Sequence, residues 1–113
     1  MKQVITITLL TLLLPSVSFA QTGETQLYSE FNKADKELNL VYIKLKNNLG
    51  QIDRTALIEA QRAWITFRDS NCSFISQEKS EGGVISNKMN IACKTQTTLE
   101  RIKELKSILE EGF

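Results

Sequence analysis

Apolar residues return at helical spacing along three stretches of the chain. In the first stretch, residues 24–49, they step by three or four positions, which places them on one face of a helix. The members of this stripe are Leu27, Phe31, Ala34, Leu38, Val41, Leu45 and Leu49. Gly50 follows and supplies a C-terminal stop. The pattern therefore predicts a first helix that ends just before residue 50.

A second helix is predicted over residues 54–77, and its apolar arc is unusually wide. Its centre consists of Leu57, Ile58, Trp64, Ile65, Cys72 and Ile75, and it widens through Ala60, Ala63, Phe67 and Phe74. An arc of this width is typical of a helix that is flanked by two neighbours.

Residues 78–88 contain the pair Gly82-Gly83 and are predicted to form a loop. A third helix is predicted over residues 89–110. Its core side is expected to be Met89, Ala92, Gln96, Leu99, Ile102, Leu105 and Leu109. Short connections favour antiparallel neighbours, so the fold class is all-α, an antiparallel three-helix bundle.

Two polar residues interrupt the apolar arc of the second helix, Gln61 and Arg68. If residue 49 lies opposite residue 54 across the short first connection, then Asp35 faces Arg68 and Tyr42 faces Gln61. A buried charge is costly unless it is paired and hydrogen-bonded. We therefore expect an Asp35–Arg68 ion pair and a Tyr42–Gln61 hydrogen bond, which form a structural polar core and fix the register of the helices.

The first twenty residues have the pattern of a cleaved signal peptide. Lys2 precedes an apolar run over residues 4–14, and Ser18-Phe19-Ala20 is a small-x-small cleavage signal. The alternative is an uncleaved anchor helix, although the apolar run is short for a bilayer span. There is no cysteine for lipid attachment near the cleavage point. We expect a domain of residues 21–113 that is periplasmic or secreted and does not insert stably into the membrane.

The charge and the cysteines of this domain restrict its chemistry. One of the 14 basic residues, Lys2, leaves with the signal, so 13 basic residues balance 13 acidic ones, which argues against nucleic acid as a partner. Cys72 and Cys93 are predicted to form a disulfide in an oxidising compartment. The sequence has no histidine to complete a metal site, and we expect neither a metal nor a cofactor.

Several short motifs resemble one known family. The segment Ala34-Asp35-Lys36-Glu37-Leu38-Asn39 with Tyr42 and Leu45 is similar to the AD-x-ELN-xx-Y-xx-L segment of the LprI-like lysozyme-inhibitor family. Its QRAW-xx-FRD-xx-C signature resembles residues 61–72, and its later GG, C and T-xx-R-xxx-L elements resemble Gly82-Gly83, Cys93, Thr98, Arg101 and Leu105. The resemblance spans residues 25–105. It implies a small exported helical domain without enzymatic activity, with lysozyme as the partner.

Three classes of function can be weighed on the residues. A lysozyme inhibitor needs a protruding element, and the predicted loop offers one that carries Lys79, Gly82, Gly83 and Lys88, although it can equally be a plain connection. An envelope interaction module with another protein partner could use Leu40 and Ile43 on the first helix. Catalysis is disfavoured, because Glu59 and Asp69 would lie about 15 Å apart along the axis, too far for a carboxylate pair on one glycosidic bond.

Overall fold

Three helices make up the part of the chain that the structure describes. The computed structural model describes the backbone of residues 19–80 and 83–112, and the side chains of residues 23–77 and 83–112. Most of the predicted signal peptide lies outside these residues. The helices are α1 (Phe19–Asn48), α2 (Gln51–Ser80) and α3 (Gly83–Glu111). The predicted all-α three-helix bundle is confirmed.

Two residues connect α1 to α2, and the end of α1 is capped by a side chain of α2. The guanidinium of Arg54 donates hydrogen bonds to the carbonyl oxygens of Lys46 (3.2 Å) and Leu49 (3.1 Å). These are carbonyls that the end of a helix leaves without an intrahelical partner. The carbonyl of Gly50 accepts from the amide of Arg54 at 2.9 Å, so α2 begins directly after Gly50.

The predicted loop over residues 78–88 is wrong. Helix α2 continues through residue 80 and α3 begins at Gly83, so only residues 81–82 separate the described ends of the two helices. Gly83 has φ of 78°, a left-handed conformation that glycine adopts without a steric cost. Because Gly83 can adopt this conformation at the first residue of α3, the helix begins there and not at residue 89 as predicted.

The core lies mainly between α1 and α3. It is formed by Leu38, Val41, Leu45, Ile102 and Leu105, with partly buried Leu57 and Trp64 packed against it from α2. Leu38 and Leu105 are only 2% and 1% exposed. The predicted stripe of α1 is therefore the stripe that is buried.

The predicted core face of α3 is only partly correct. Ile102 and Leu105 are buried, but Ala92, Gln96 and Leu99 are exposed. Upstream of Ile102, the buried positions are Thr98 and Ile91. The predicted core side did not include Thr98, whose side chain is fully buried and receives a hydrogen bond from α2.

Helix α3 packs along both α1 and α2, whereas α1 and α2 touch each other much less. The expectation that α1 and α2 pack directly as neighbours is thus corrected: they lie at the same level, but a groove runs between them. The apolar arc of α2 also stays partly in solvent on the side away from this groove, with Phe67 60% and Phe74 63% exposed. Within the described residues, no helix combines the length and hydrophobicity needed to cross a bilayer.

Candidate functional site

Arg68 is the centre of a polar cluster between the helices. Its side chain is 8% exposed, and its Nε donates to Asp69 Oδ1 at 2.9 Å. Its Nη1 lies 3.7 Å from Asp35 Oδ1 on α1 and donates to Thr98 Oγ1 on α3 at 3.4 Å. The guanidinium therefore contacts all three helices. Asp35 lies at the predicted level, but the closer carboxylate belongs to Asp69, the next residue in the chain.

Aromatic rings cover the faces of the same guanidinium. The Arg68 Cζ lies 5.2 Å from the centroid of the Trp64 ring and 5.4 Å from that of Phe31. Arg101 of α3 approaches Trp64 as well, at 5.9 Å. Contacts of this kind stabilise a cation over an aromatic face, so Trp64 helps to retain both guanidiniums at the α2–α3 interface.

Gln61 is buried, but its partner differs from the predicted one. Its Oε1 accepts a hydrogen bond from Arg101 Nε at 3.1 Å, so the bond crosses to α3 instead of to Tyr42 of α1. Arg101 also forms an ion pair with Glu104 at 2.8 Å. The ring of Tyr42 instead lies near Lys46, whose Nζ is 5.4 Å from its centroid. Tyr42 and Gln61 both line the groove between α1 and α2.

This groove has a volume of about 310 Å³ and mixed polar and apolar walls. Helix α1 contributes Asp35, Leu38, Asn39, Tyr42 and Lys46, and α2 contributes Ile58, Gln61, Arg62 and Ile65. The groove thus carries anionic, cationic and aromatic groups, a combination suited to binding a polar segment of another molecule. Within the described residues, no group of acidic or cysteine side chains has the arrangement of a metal site.

The predicted Cys72–Cys93 disulfide is confirmed. The two Cα atoms are 5.6 Å apart, and Cys72 is completely buried. The carbonyl of Cys93 accepts from the hydroxyl of Thr97 at 2.9 Å, and this hydroxyl lies 3.8 Å from Cys72 Sγ. The disulfide therefore fastens the second half of α2 to the first half of α3.

The predicted partner-binding loop becomes the tip of a helical hairpin. Gly82 and the side chain of Lys79 lie outside the described residues, Gly83 is the first residue of α3, and Lys88 lies in its second turn. Two apolar side chains at the start of α3, Val84 and Ile85, are 61% and 65% exposed. The tip is thus a pair of helix ends that carries exposed apolar groups.

Comparison with known proteins identifies the family. The family model described as "Lysozyme inhibitor LprI" matches residues 19–105. The chain belongs to the LprI family. It is also similar to an uncharacterized protein, R02472, of Rhizobium meliloti (strain 1021), with 33% identity over 96 residues that cover 74% of this chain and 68% of that protein. No solved structure gives a significant match.

The site residues that the sequence analysis missed lie on α3. Thr98 and Arg101 complete the environment of Arg68 and Gln61. Both belong to the T-xx-R element that carried part of the family resemblance. That element therefore has a structural role in this chain, because its side chains fasten α3 to the QRAW and FRD residues of α2.

Proposed function

We propose that this chain is an exported, non-enzymatic protein-binding domain that inhibits lysozyme. The match to the lysozyme-inhibitor family over residues 19–105 carries the proposal, because it extends over nearly all of the three helices. The disulfide is consistent with export, since such bonds persist in oxidising compartments.

The hairpin tip is the surface that we propose for contact with lysozyme. From Cys72 to Ser80, α2 extends about 12 Å beyond the disulfide at 1.5 Å per residue. The tip is therefore braced at its base, which lowers the entropic cost of presenting it to a partner. A lysozyme cleft contains two catalytic carboxyl groups, and Lys88 of α3 would bring a positive charge towards them while Val84 and Ile85 bury apolar surface.

A lysis assay tests the inhibition directly. The chain is produced in a bacterial host from its full sequence, purified from the periplasmic extract and titrated against chicken-type lysozyme acting on cell walls. We expect the rate of lysis to fall as the inhibitor approaches equimolar amounts. Unchanged lysis at a micromolar excess would refute lysozyme as the partner.

Charge reversal on α3 tests the surface separately from the function. Lys88→Glu should weaken inhibition, because it places an anion near the carboxyl groups of the cleft. Lys103→Glu is the matched control, since it makes the same change on an exposed position of the same helix, about 22 Å away along the axis. If Lys88→Glu and Lys103→Glu inhibit equally well, the tip is not the surface that contacts lysozyme. Loss of inhibition in Arg62→Glu would then indicate the groove.

The signal peptide is a separate part of the proposal. Cleavage after Ala20 predicts that the protein recovered from the periplasm begins at Gln21. The intact mass of that protein measures this directly. Recovery of the chain from the membrane fraction, with a mass that retains residues 1–20, would support the uncleaved anchor instead.

An envelope interaction module with another protein partner is the second candidate. The observation that favours it is the exposure of two apolar side chains on α1, Leu40 at 70% and Ile43 at 47%. If lysozyme is not inhibited, this edge can be tested by comparing the proteins captured from envelope extract by the native chain and by Leu40→Asp. A specific partner should be lost with the variant.

A further inference from the structure

One face of α2 is apolar, exposed and not covered by α1 or α3. Phe67 and Phe74, at 60% and 63% exposure, lie on it with exposed Ala56, Ala60 and Ala63. These residues and Ser70 are separated by alternating steps of four and three positions, the spacing of a helix-pairing stripe. Asp53 and Gln77 continue the spacing at the two ends. We call these eight positions the outer stripe.

We propose that the outer stripe pairs with the outer stripe of a second copy of this chain, in antiparallel orientation about a two-fold axis that crosses the stripe at the height of residue 65, midway between Ala63 and Phe67. In this register Ala63 faces Phe67 of the second copy. Ala56 likewise faces Phe74, and Ala60 faces Ser70. At the ends, Asp53 faces Gln77, whose amide can donate to the carboxylate. A two-fold axis repeats each of these pairs.

The order of side-chain sizes along the stripe supports this orientation. The half nearer the start of α2 carries three alanines, and the other half carries both phenylalanines. An antiparallel pair places each benzyl group against a methyl group, so that large and small residues interdigitate. A parallel pair would place phenylalanine on phenylalanine and alanine on alanine, which combines crowding with voids.

A pocket lies where this register places an aromatic ring. Ala56 and Ala60 line a depression of about 310 Å³ between the helices. Its other walls are mainly apolar and consist of Leu45, Leu49, Asp53, Leu57, Arg101, Leu105 and Ile108. Phe74 of the second copy faces Ala56 and can enter this depression. An aromatic side chain that fills an apolar pocket is the usual anchor of an interface.

The positions beside the outer stripe bring no like charges together. In the same register Glu59 lies across from Ser73 of the second copy, and Thr66 lies across from Thr66. Like charges at such positions would disfavour the pair.

The surface area that the dimer would bury is modest. The exposed parts of the stripe would remove roughly 1,000 Å² from water over both copies, the lower limit for a specific interface. We therefore expect a dimer with a dissociation constant in the micromolar range.

Sedimentation equilibrium of the periplasmic protein over a range of concentrations tests whether the dimer forms. Exchanging the large and the small residue of one facing pair, Ala63 and Phe67, tests the register. Ala63→Phe opposes two phenylalanines and Phe67→Ala opposes two alanines, so each should weaken the dimer about ten-fold or more. The double variant restores one large and one small residue in each pair and should recover most of the affinity. Leu40→Ala, on α1, is the control and should dimerise like the native chain.

Cross-linking with a short bismaleimide distinguishes the orientations. Thr66→Cys places a thiol next to its own copy across the axis and should give a covalent dimer. Ala56→Cys should not, because the two thiols would be about 27 Å apart along the axis. Monomers at all concentrations, a double variant no better than the single ones, or cross-linking through Ala56→Cys alone would each overturn the proposal. The changed positions are exposed, so thermal melts of dilute protein should match the native chain.

Discussion

The interface between α1 and α3 and the interface between α2 and α3 are held by different forces. The first buries aliphatic side chains, with Leu38, Leu45 and Leu105 at 2% exposure or less. In the second, the described residues that α2 buries are Gln61, Arg68, Cys72 and Ser76. Apolar burial depends on area and tolerates small shifts, whereas hydrogen bonds and a disulfide depend on geometry. The α2–α3 interface should therefore tolerate a narrower range of side chains at its buried positions than the α1–α3 interface does.

Removal of an aliphatic side chain from the first interface should have the largest effect. Leu105→Ala deletes a side chain that is 1% exposed, and such changes cost about 2–5 kcal/mol of unfolding free energy. Urea denaturation measures the loss. Leu40→Ala, at 70% exposure, is the control and should change stability by no more than about 0.5 kcal/mol. Similar small losses for both would show that the α1–α3 interface is not the main core.

Removal of the disulfide should have the next largest effect. Replacing both Cys72 and Cys93 by serine releases a loop of 21 residues, which costs about 3 kcal/mol in the chain-entropy model. Thermal melts of the variant and the oxidised native chain give the difference. Unchanged stability would mean that the polar contacts alone hold α2 in place.

Changes in the polar cluster should be smaller and unequal. Arg68→Met removes the donor that Thr98 accepts from and the nearest cation of Asp69, which keeps Lys94 at 3.7 Å, and we expect a loss of about 1–3 kcal/mol. Asp35→Asn should cost less than about 1 kcal/mol, because Asp35 is 44% exposed and Arg68 keeps its other contacts. Urea denaturation of the two single variants and the double variant measures the coupling. Equal losses for the single variants would show that Asp35 is the principal partner of Arg68.

The smallest effect is expected at the surface ion pair between α1 and α3. Lys106 Nζ lies 2.8 Å from Glu37 Oε1, but both side chains are almost half exposed. Exposed pairs contribute about 0–1 kcal/mol, so Lys106→Met should leave the urea midpoint nearly unchanged. A loss comparable to that of Arg68→Met would show that charge, and not apolar area, holds α1 to α3.

The sequence correctly predicted which polar residues of α1 and α2 lie opposite each other along the helix axes, because the connection between these helices is short. A connection of two residues fixes how far one helix is displaced along the other, which brings Asp35 and Arg68 together. Residues 78–88 were predicted as a loop, and a loop of that length sets no register. For this reason the contacts of Thr98 and Arg101 with α2 could not be derived.

The sequence also could not tell which molecule covers each part of a wide apolar arc. Phe67 and Phe74 continue the arc of α2, and their hydrophobicity alone is compatible with a second neighbour in the same chain. In the structure α3 covers one side of α2, while the aromatic side remains exposed. The periodicity of the sequence shows that a helix face is apolar, but it does not show whether a helix of the same chain covers that face.

Hydrogen exchange of the variant that lacks both cysteines tests the contrast between the two interfaces most directly. Exchange at each amide reports the free energy of the opening that exposes it. We expect the amides of α2 around Arg68 to exchange through openings of lower free energy than the amides around Leu38 in α1 and Leu105 in α3. A single opening free energy shared by all three helices would contradict this expectation.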